Sequence, residues 1–404
     1  MIVRQGIVST IAQLIGRSAN IVVPLIVVYR YGVSNLTDDL FLTMAVAFFF
    51  GGTLANSATD VFVPELLKRK SSYTERDWKI FSGIISVLSI VVVLTTSYES
   101  ELSSMLLIVS AFVIVYCGIC SSLYVAHFYS CGNFLLPGVS WSFRWISVIP
   151  IIAIDEAVLG ILLFLLFTAI ADLTRYFLLR ACVNRQKMVS YTTSHGYEAL
   201  MAVIIMMVSS SISGLNPLVD RLIASLLSPG ELSKFEVIDR VGSVFLMLPT
   251  VGLLQVISLN VTVRIFKNEN WRYDIFLLKI LLFSTLWSFL CLFFVFSLSA
   301  YQEHFRPYFS IAIGSDQLWL FVIFIFSAPS MFLGMVLVRM LLAVKKGQLV
   351  LIGACISVVS NISMSLILSK IMGIHGILIA TLVTYSLTFI FLLYYFSKVY
   401  RELT

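Results

Sequence analysis

Residues 226–249 read LLSPGELSKFEVIDRVGSVFLMLP and place the charged pair Asp239-Arg240 just inside an apolar run, directly after a run that already carries Asp220-Arg221. In a soluble protein such pairs are ordinary, because about a quarter of the residues are charged. Here only 12% are charged, 59% are hydrophobic and the mean hydropathy is +1.00. The apolar runs are roughly 20 to 28 residues long, enough for each to cross a ~30 Å hydrocarbon core as a helix. A helix satisfies its own backbone in lipid, and these runs are too long and too uniformly apolar for barrel strands, so a β-barrel is excluded. The expected fold is an all-α polytopic membrane protein, and the question becomes what charges are doing inside its spans.

Polar breaks divide the chain into twelve expected helices, at about 7–30, 38–66, 79–98, 104–128, 134–154, 157–181, 199–227, 235–262, 275–300, 316–343, 348–370 and 374–398. The first run contains Arg17 and no small-residue cleavage site follows it, so it reads as a span and not as a signal peptide. With the amino terminus cytoplasmic, the inner segments hold sixteen Lys and Arg, including the cluster Lys68, Arg69, Lys70, Arg76 and Lys79. The outer loops hold four: Arg30, Lys234, Arg306 and Lys370. That asymmetry satisfies the positive-inside rule and puts both termini in the cytoplasm.

An eighteen-residue internal segment, about 181–198, separates six helices from six. Asp38 and Asp239 lie 201 residues apart, each read as near a helix start after a Pro/Gly turn, and Lys68 and Lys267 lie 199 apart. An even number of helices per half gives both halves one orientation, so the implied pseudo-two-fold axis runs along the membrane normal. We expect two six-helix bundles, residues 1–190 and 191–404, with a cavity between them that opens to one side at a time.

Seven basic residues remain within or near the spans: Arg17, Arg144, Arg175, Arg221, Arg240, Lys279 and Arg339. At mid-membrane each costs about 2.5–3.5 kcal/mol on an insertion scale. Lys279 and Arg175 are near enough to a helix end to snorkel. Arg17 shares the first helix with Gln13, Ser18 and Asn20, and either meets an anionic substrate or pairs with an acid such as Asp60. Arg339 is a second candidate contact, or a partner of helix carbonyls and inner headgroups. Arg144, within WSFRW, is flanked by Trp141 and Trp145 and suits cation–π packing, interfacial anchoring or substrate contact. Asp220-Arg221 reads as a structural cross-helix clasp. In Asp239-Arg240 the arginine is the candidate phosphate contact, since its planar fork holds a phosphate bidentately.

Enzymatic chemistry has little support. The histidines (His127, His195, His304, His375) have no paired carboxylate or ligand spacing, the CxxC at Cys117 and Cys120 has no second pair, and no external loop is long enough to be a catalytic domain. No catalytic residue, metal site or cofactor is expected, and nothing points to nucleic acid.

Two stretches resemble the MurJ/MviN branch of the multidrug/oligosaccharidyl-lipid/polysaccharide (MOP) flippase superfamily. They are YGVSNLTDDLFL through DVFVPELLK, residues 31–68, and LVDRLIASLLSPGELSKFEVIDRVGSVFLMLP, residues 218–249. The resemblance implies that Asp38, Asp239 and Arg240 matter for transport and that Arg17 lines a cationic cavity. It makes Asp38, Asp239 and Asp60 candidates for coupling or gating, with a proton or monovalent cation as the coupling ion. Lipid II flippases of that branch have two further helices, whereas this length is similar to Wzx-type flippases. The expected function is therefore translocation of an undecaprenyl-pyrophosphate-linked oligosaccharide, an O-antigen or capsule repeat unit, from the cytoplasmic to the periplasmic leaflet of a bacterial inner membrane. Membrane lipids and other glycan-assembly proteins are the further expected partners, and the expected state is a monomer. The competing readings are a lipid II flippase, a MATE-type drug exporter, and a membrane-embedded glycan polymerase or acyltransferase.

Overall fold

The computed structural model describes residues 2–67, 75–96, 105–185, 211–212, 214–242, 273–300, 315–343 and 346–403. All secondary structure among them is helical, and ten of the helical stretches are long and apolar enough to cross a membrane. Of the expected span at 199–227, residues 211–212 and 214–227 are described, whereas the one at 235–262 falls largely outside the described residues, as does the expected domain boundary at 190/191. The chain forms two compact units. One comprises Val8–Arg221 with Ser228–Ser233; the other comprises Met1–Ile7, Leu222–Leu227 and Lys234–Thr404.

The first unit opens with α1 (Ile2–Tyr31). The second span begins at Asn35, earlier than the expected 38, because Ser34 caps it: the Ser34 hydroxyl accepts from the Thr37 amide and the Thr37 hydroxyl accepts from the Ser34 amide. This span consists of α2 (Asn35–Phe48), a π-turn at Phe49–Thr53 and α3 (Leu54–Leu67). The π-turn, FFGGT, meets α5 (Met105–Ser130) where a side chain on Gly118 would run into the Gly51 carbonyl oxygen, so two backbones touch with only glycine between them. Against the same helix, α4 (Glu75–Thr96) inserts the fully buried Trp78, which donates to the Ile119 carbonyl at 2.9 Å and meets Phe62 edge-on.

The fifth span, expected as one helix over 134–154, is composite: α6 (Leu135–Val139), a 3-10 segment (Ser140–Ser147) and α7 (Val148–Ala153). The serines account for the tightening. Ser140, Ser142 and Ser147 each bond the carbonyl three residues back, at 2.6–2.8 Å, and Pro150 has no N–H to return to an α-type ladder. Next comes α8 (Ala157–Arg185), and later α9 (Leu215–Ser225).

The second unit contains α11 (Tyr273–Ala300), α12 (Ser315–Phe326), α13 (Ala328–Ala343), α14 (Gly347–Met372) and α15 (Ile374–Leu403), after a helix at 231–242 that we number α10. Its core joins α11, α13 and α15 through Leu277, Phe332, Val336, Met340, Leu392 and Phe396. On α14 the buried positions recur every four residues, at Gly353, Ser357, Asn361, Ser365 and Ser369. Small and polar residues therefore face the protein, and Val359, Ile367 and Ile371 are turned outward. That inversion of the soluble pattern suits lipid, where close packing of small residues replaces the hydrophobic drive.

Candidate substrate-binding site

Three arginines of the first unit converge although they come from three separate elements. A side chain at Gly16 on α1 would meet the backbone carbonyl of Gly138 on α6, so the two elements touch backbone to backbone. That contact sets Arg17, one residue on, beside the 3-10 segment that carries Trp141 and Arg144. In a 3-10 helix residues three apart eclipse, and the Arg144 guanidinium accordingly lies 4.5 Å from the Trp141 ring centre, with Phe48 of α2 at the same distance. From α8, the Arg175 guanidinium lies 3.8 Å from the same indole. Arg17, Arg144 and Arg175 act on one another electrostatically, with Tyr129 of α5 nearby.

Their charges are not equally compensated. Asp172, 3% exposed, takes Arg144 in a bidentate pair: Nε to Oδ1 at 2.9 Å and Nη2 to Oδ2 at 2.6 Å. Asn20 accepts from Arg144 Nη1 at 2.9 Å, so that each guanidinium nitrogen has a bond. Arg175 is 5% exposed yet, among the described residues, holds only one hydrogen bond, from Nε to the Ser140 hydroxyl at 3.1 Å, and Asp172 reaches it at longer range only. Arg17 makes no hydrogen bond or ion pair with any described residue. Among the described residues, the cluster therefore offers two guanidiniums with most donors unbonded and one bonded at each of its nitrogens.

Sequence reasoning expected Arg175 to snorkel to the membrane surface. Instead it is buried on Trp141, because the tight α1–α6 contact and the 3-10 segment bring the indole beneath it. Asp172 was not singled out. Its signal was a lone acid, three residues from Arg175 within the apolar run LFTAIADLTRYFLL.

The other candidates lie elsewhere. Asp38 is the fourth residue of α2 and accepts from the amides of Gly230, at 2.6 Å, and Ser233, at 2.7 Å, and from the Ser233 hydroxyl. It thus caps the start of α10 from another helix, with Ser233 also 2.9 Å from the Thr37 hydroxyl. Asp239, expected near a helix start, is the ninth residue of α10. The SPG turn begins that helix at 231, so the 201-residue offset does not coincide with the helix starts. Arg240 pairs with the buried Glu236 one turn back at 2.6 Å. Asp220 and Arg221 are both buried, Arg221 donating to the Pro217 carbonyl of its own helix at 2.9 Å. Asp60 lies on α3 and Arg339 on α13, and their side chains are outside the described residues.

One consequence is direct. Removing the Asp38 carboxylate leaves two helix-start amides unpaired, so Asp38→Ala is expected to cost about 0.5–2 kcal/mol, read as a fall in the melting temperature of the purified protein that Asp38→Ser partly restores.

The fold is all-helical and polytopic. It is shared with two groups of solved structures in the MOP superfamily. The lipid II flippase MurJ in an inward closed conformation superposes with a TM-score of 0.72 at 18% identity, over 96% of this chain and 87% of that one. A variant of the Vibrio cholerae MATE transporter VcmN gives 0.73 at 18% identity, over 99% and 97%. An outward-facing MATE family transporter of the MOP superfamily gives 0.67 at 12%, again over 99% and 97%. No family model and no curated protein matches the chain.

Proposed function

We propose that the chain is a flippase that carries an undecaprenyl-pyrophosphate-linked oligosaccharide, an O-antigen or capsule repeat unit, from the cytoplasmic to the periplasmic leaflet of a bacterial inner membrane. The observation that carries the reading is the pair of guanidiniums, Arg17 and Arg175, that no described acid holds in an ion pair, beside a neutralised Arg144–Asp172 pair. Burying a guanidinium without an acceptor is costly, whereas a phosphate supplies oxygens in the geometry of its fork. A diphosphate bridges two such groups. A cationic drug, by contrast, meets repulsion from both, which disfavours the exporter reading.

The lipid tail stays in the bilayer while the headgroup occupies the site. Positive-inside counting puts Arg175 and Tyr129 on the cytoplasmic half of their spans, where the substrate is presented, and the Asp38 cap on the periplasmic half. Release of Gly230 and Ser233 by Asp38 is then the step that frees the start of α10 as the headgroup leaves, and a proton or monovalent cation gradient is the candidate drive.

Reconstitution into liposomes tests the reading. Headgroup accessibility on each face is measured for an undecaprenyl-diphosphate oligosaccharide, for lipid II, and in parallel for a cationic dye. Accelerated movement of the oligosaccharide is expected. Acceleration of lipid II alone assigns the protein to peptidoglycan precursors, and dye movement without lipid movement overturns the reading.

A further inference from the structure

The charges around Trp141 do more than attract an anion, because Asp172 sets how many of them are available. The described charged groups at the cluster are Arg17 from α1, Arg144 from the 3-10 segment, and Asp172 and Arg175 from α8. Three positive charges against one negative leave two. Asp172 uses both oxygens on Arg144, so the neutralised arginine is also the one bonded at each of its guanidinium nitrogens.

We infer that Asp172 is a specificity-determining residue that tunes this site to a diphosphate diester and against a diphosphate monoester; this rests on the diphosphate reading proposed above. A carrier loaded with its glycan is a diester, with one negative charge on each phosphate. The carrier left after the glycan has been passed on is a monoester, whose terminal phosphate has a further ionisation near pH 6 and so carries about one charge more. Two positive charges match the loaded form. In the spent form the extra charge has no partner in a partly desolvated site, where a missing ion-pair interaction is worth far more than in water. Discrimination of this kind works through an unmatched charge and needs no glycan contact. The reaction that consumes the product must then be a glycosyl transfer that releases the diphosphate monoester, which the site declines to carry back.

Competitive binding to purified protein tests this, with farnesyl diphosphate as the monoester and farnesyl diphosphate N-acetylglucosamine as the diester. The wild type is expected to favour the diester by about tenfold, one unit of 1.4 kcal/mol. Asp172→Asn raises the site to three positive charges, and the ratio is expected to move at least tenfold toward the monoester. The double variant Arg144→Gln with Asp172→Asn restores two charges and should restore the wild-type ratio, although it removes the same carboxylate. Where Asp172→Asn does not give a folded protein, Arg17→Gln carries the test in the opposite direction: both ligands bind more weakly and the diester preference rises. An unchanged ratio in folded Asp172→Asn overturns the inference. So does a double variant that shifts as far as the single one, and so does an Arg17→Gln ratio that does not rise. Failure of the wild type to bind either ligand instead overturns the anion site itself.

Discussion

Replacing Arg175 by glutamine is expected to reduce transport of a lipid-linked oligosaccharide by about 10- to 150-fold. That is the factor corresponding to loss of one charge-assisted hydrogen-bonding group worth about 1.5–3 kcal/mol. The amide keeps a polar group against Ser140 and a flat surface on Trp141, so the packing survives and the charge does not. Arg175→Lys should fall between the two, since an ammonium keeps the charge but loses the planar fork that spans two phosphate oxygens. Lys279 is exposed and supplies the control: Lys279→Gln removes one positive charge from the same protein and should leave the rate unchanged. Initial rates in liposomes with matched protein incorporation make the measurement. A glutamine variant with wild-type rates would remove Arg175 from the site.

The second large effect is on stability. A Cβ at Gly118 would strike the carbonyl oxygen of Gly51 and approach its carbonyl carbon at 2.8 Å and Cα at 2.9 Å. These are backbone atoms of the π-turn and no rotamer change moves them away, so α5 must separate from the second span. Overpacking usually costs about 1–3 kcal/mol, and the absence of a yielding side chain places Gly118→Ala at or above the top of that range. Gly52 is the contrast, because a Cβ there meets nothing within 4 Å. Gly52→Ala should be neutral, or stabilising by up to about 1 kcal/mol through helix propensity. Melting temperatures in one detergent compare the two, and equal shifts would refute the close backbone contact.

Much of the architecture was legible because lipid enforces it. Length and hydropathy follow from the thickness of the hydrocarbon core and from the need to satisfy the backbone within each span, and these act on every stretch of the chain independently. For the same reason Arg17 stands out in the sequence alone: a guanidinium in the middle of an apolar helix is costly. Local capping could also have been read, since Ser34 and Thr37 lie at the spacing of a capping box.

The composition of the site was not legible, and Arg144 shows why. Its flanking tryptophans correctly suggested cation–π packing, but its charge is cancelled by Asp172, twenty-eight positions away on another helix. Arg175 reads as a snorkelling residue because nothing in its own helix reveals that Trp141 lies beneath it. Likewise Asp38 and Asp239 looked equivalent in sequence, while the structure uses Asp38 to cap a helix nearly two hundred residues away and sets Asp239 deep within that same helix.

The sequence by itself determined that this is a helical membrane protein, roughly where its spans lie and which charges are out of place in them, because each of those properties is an energy of one segment in one solvent. Which arginine is neutralised, and which have no ion pair among the described residues, was decided only by the tertiary structure. Charge compensation is a property of pairs, and at Gly16 and Gly138, where two backbones meet with no side chain between them, the fold chooses the pairs.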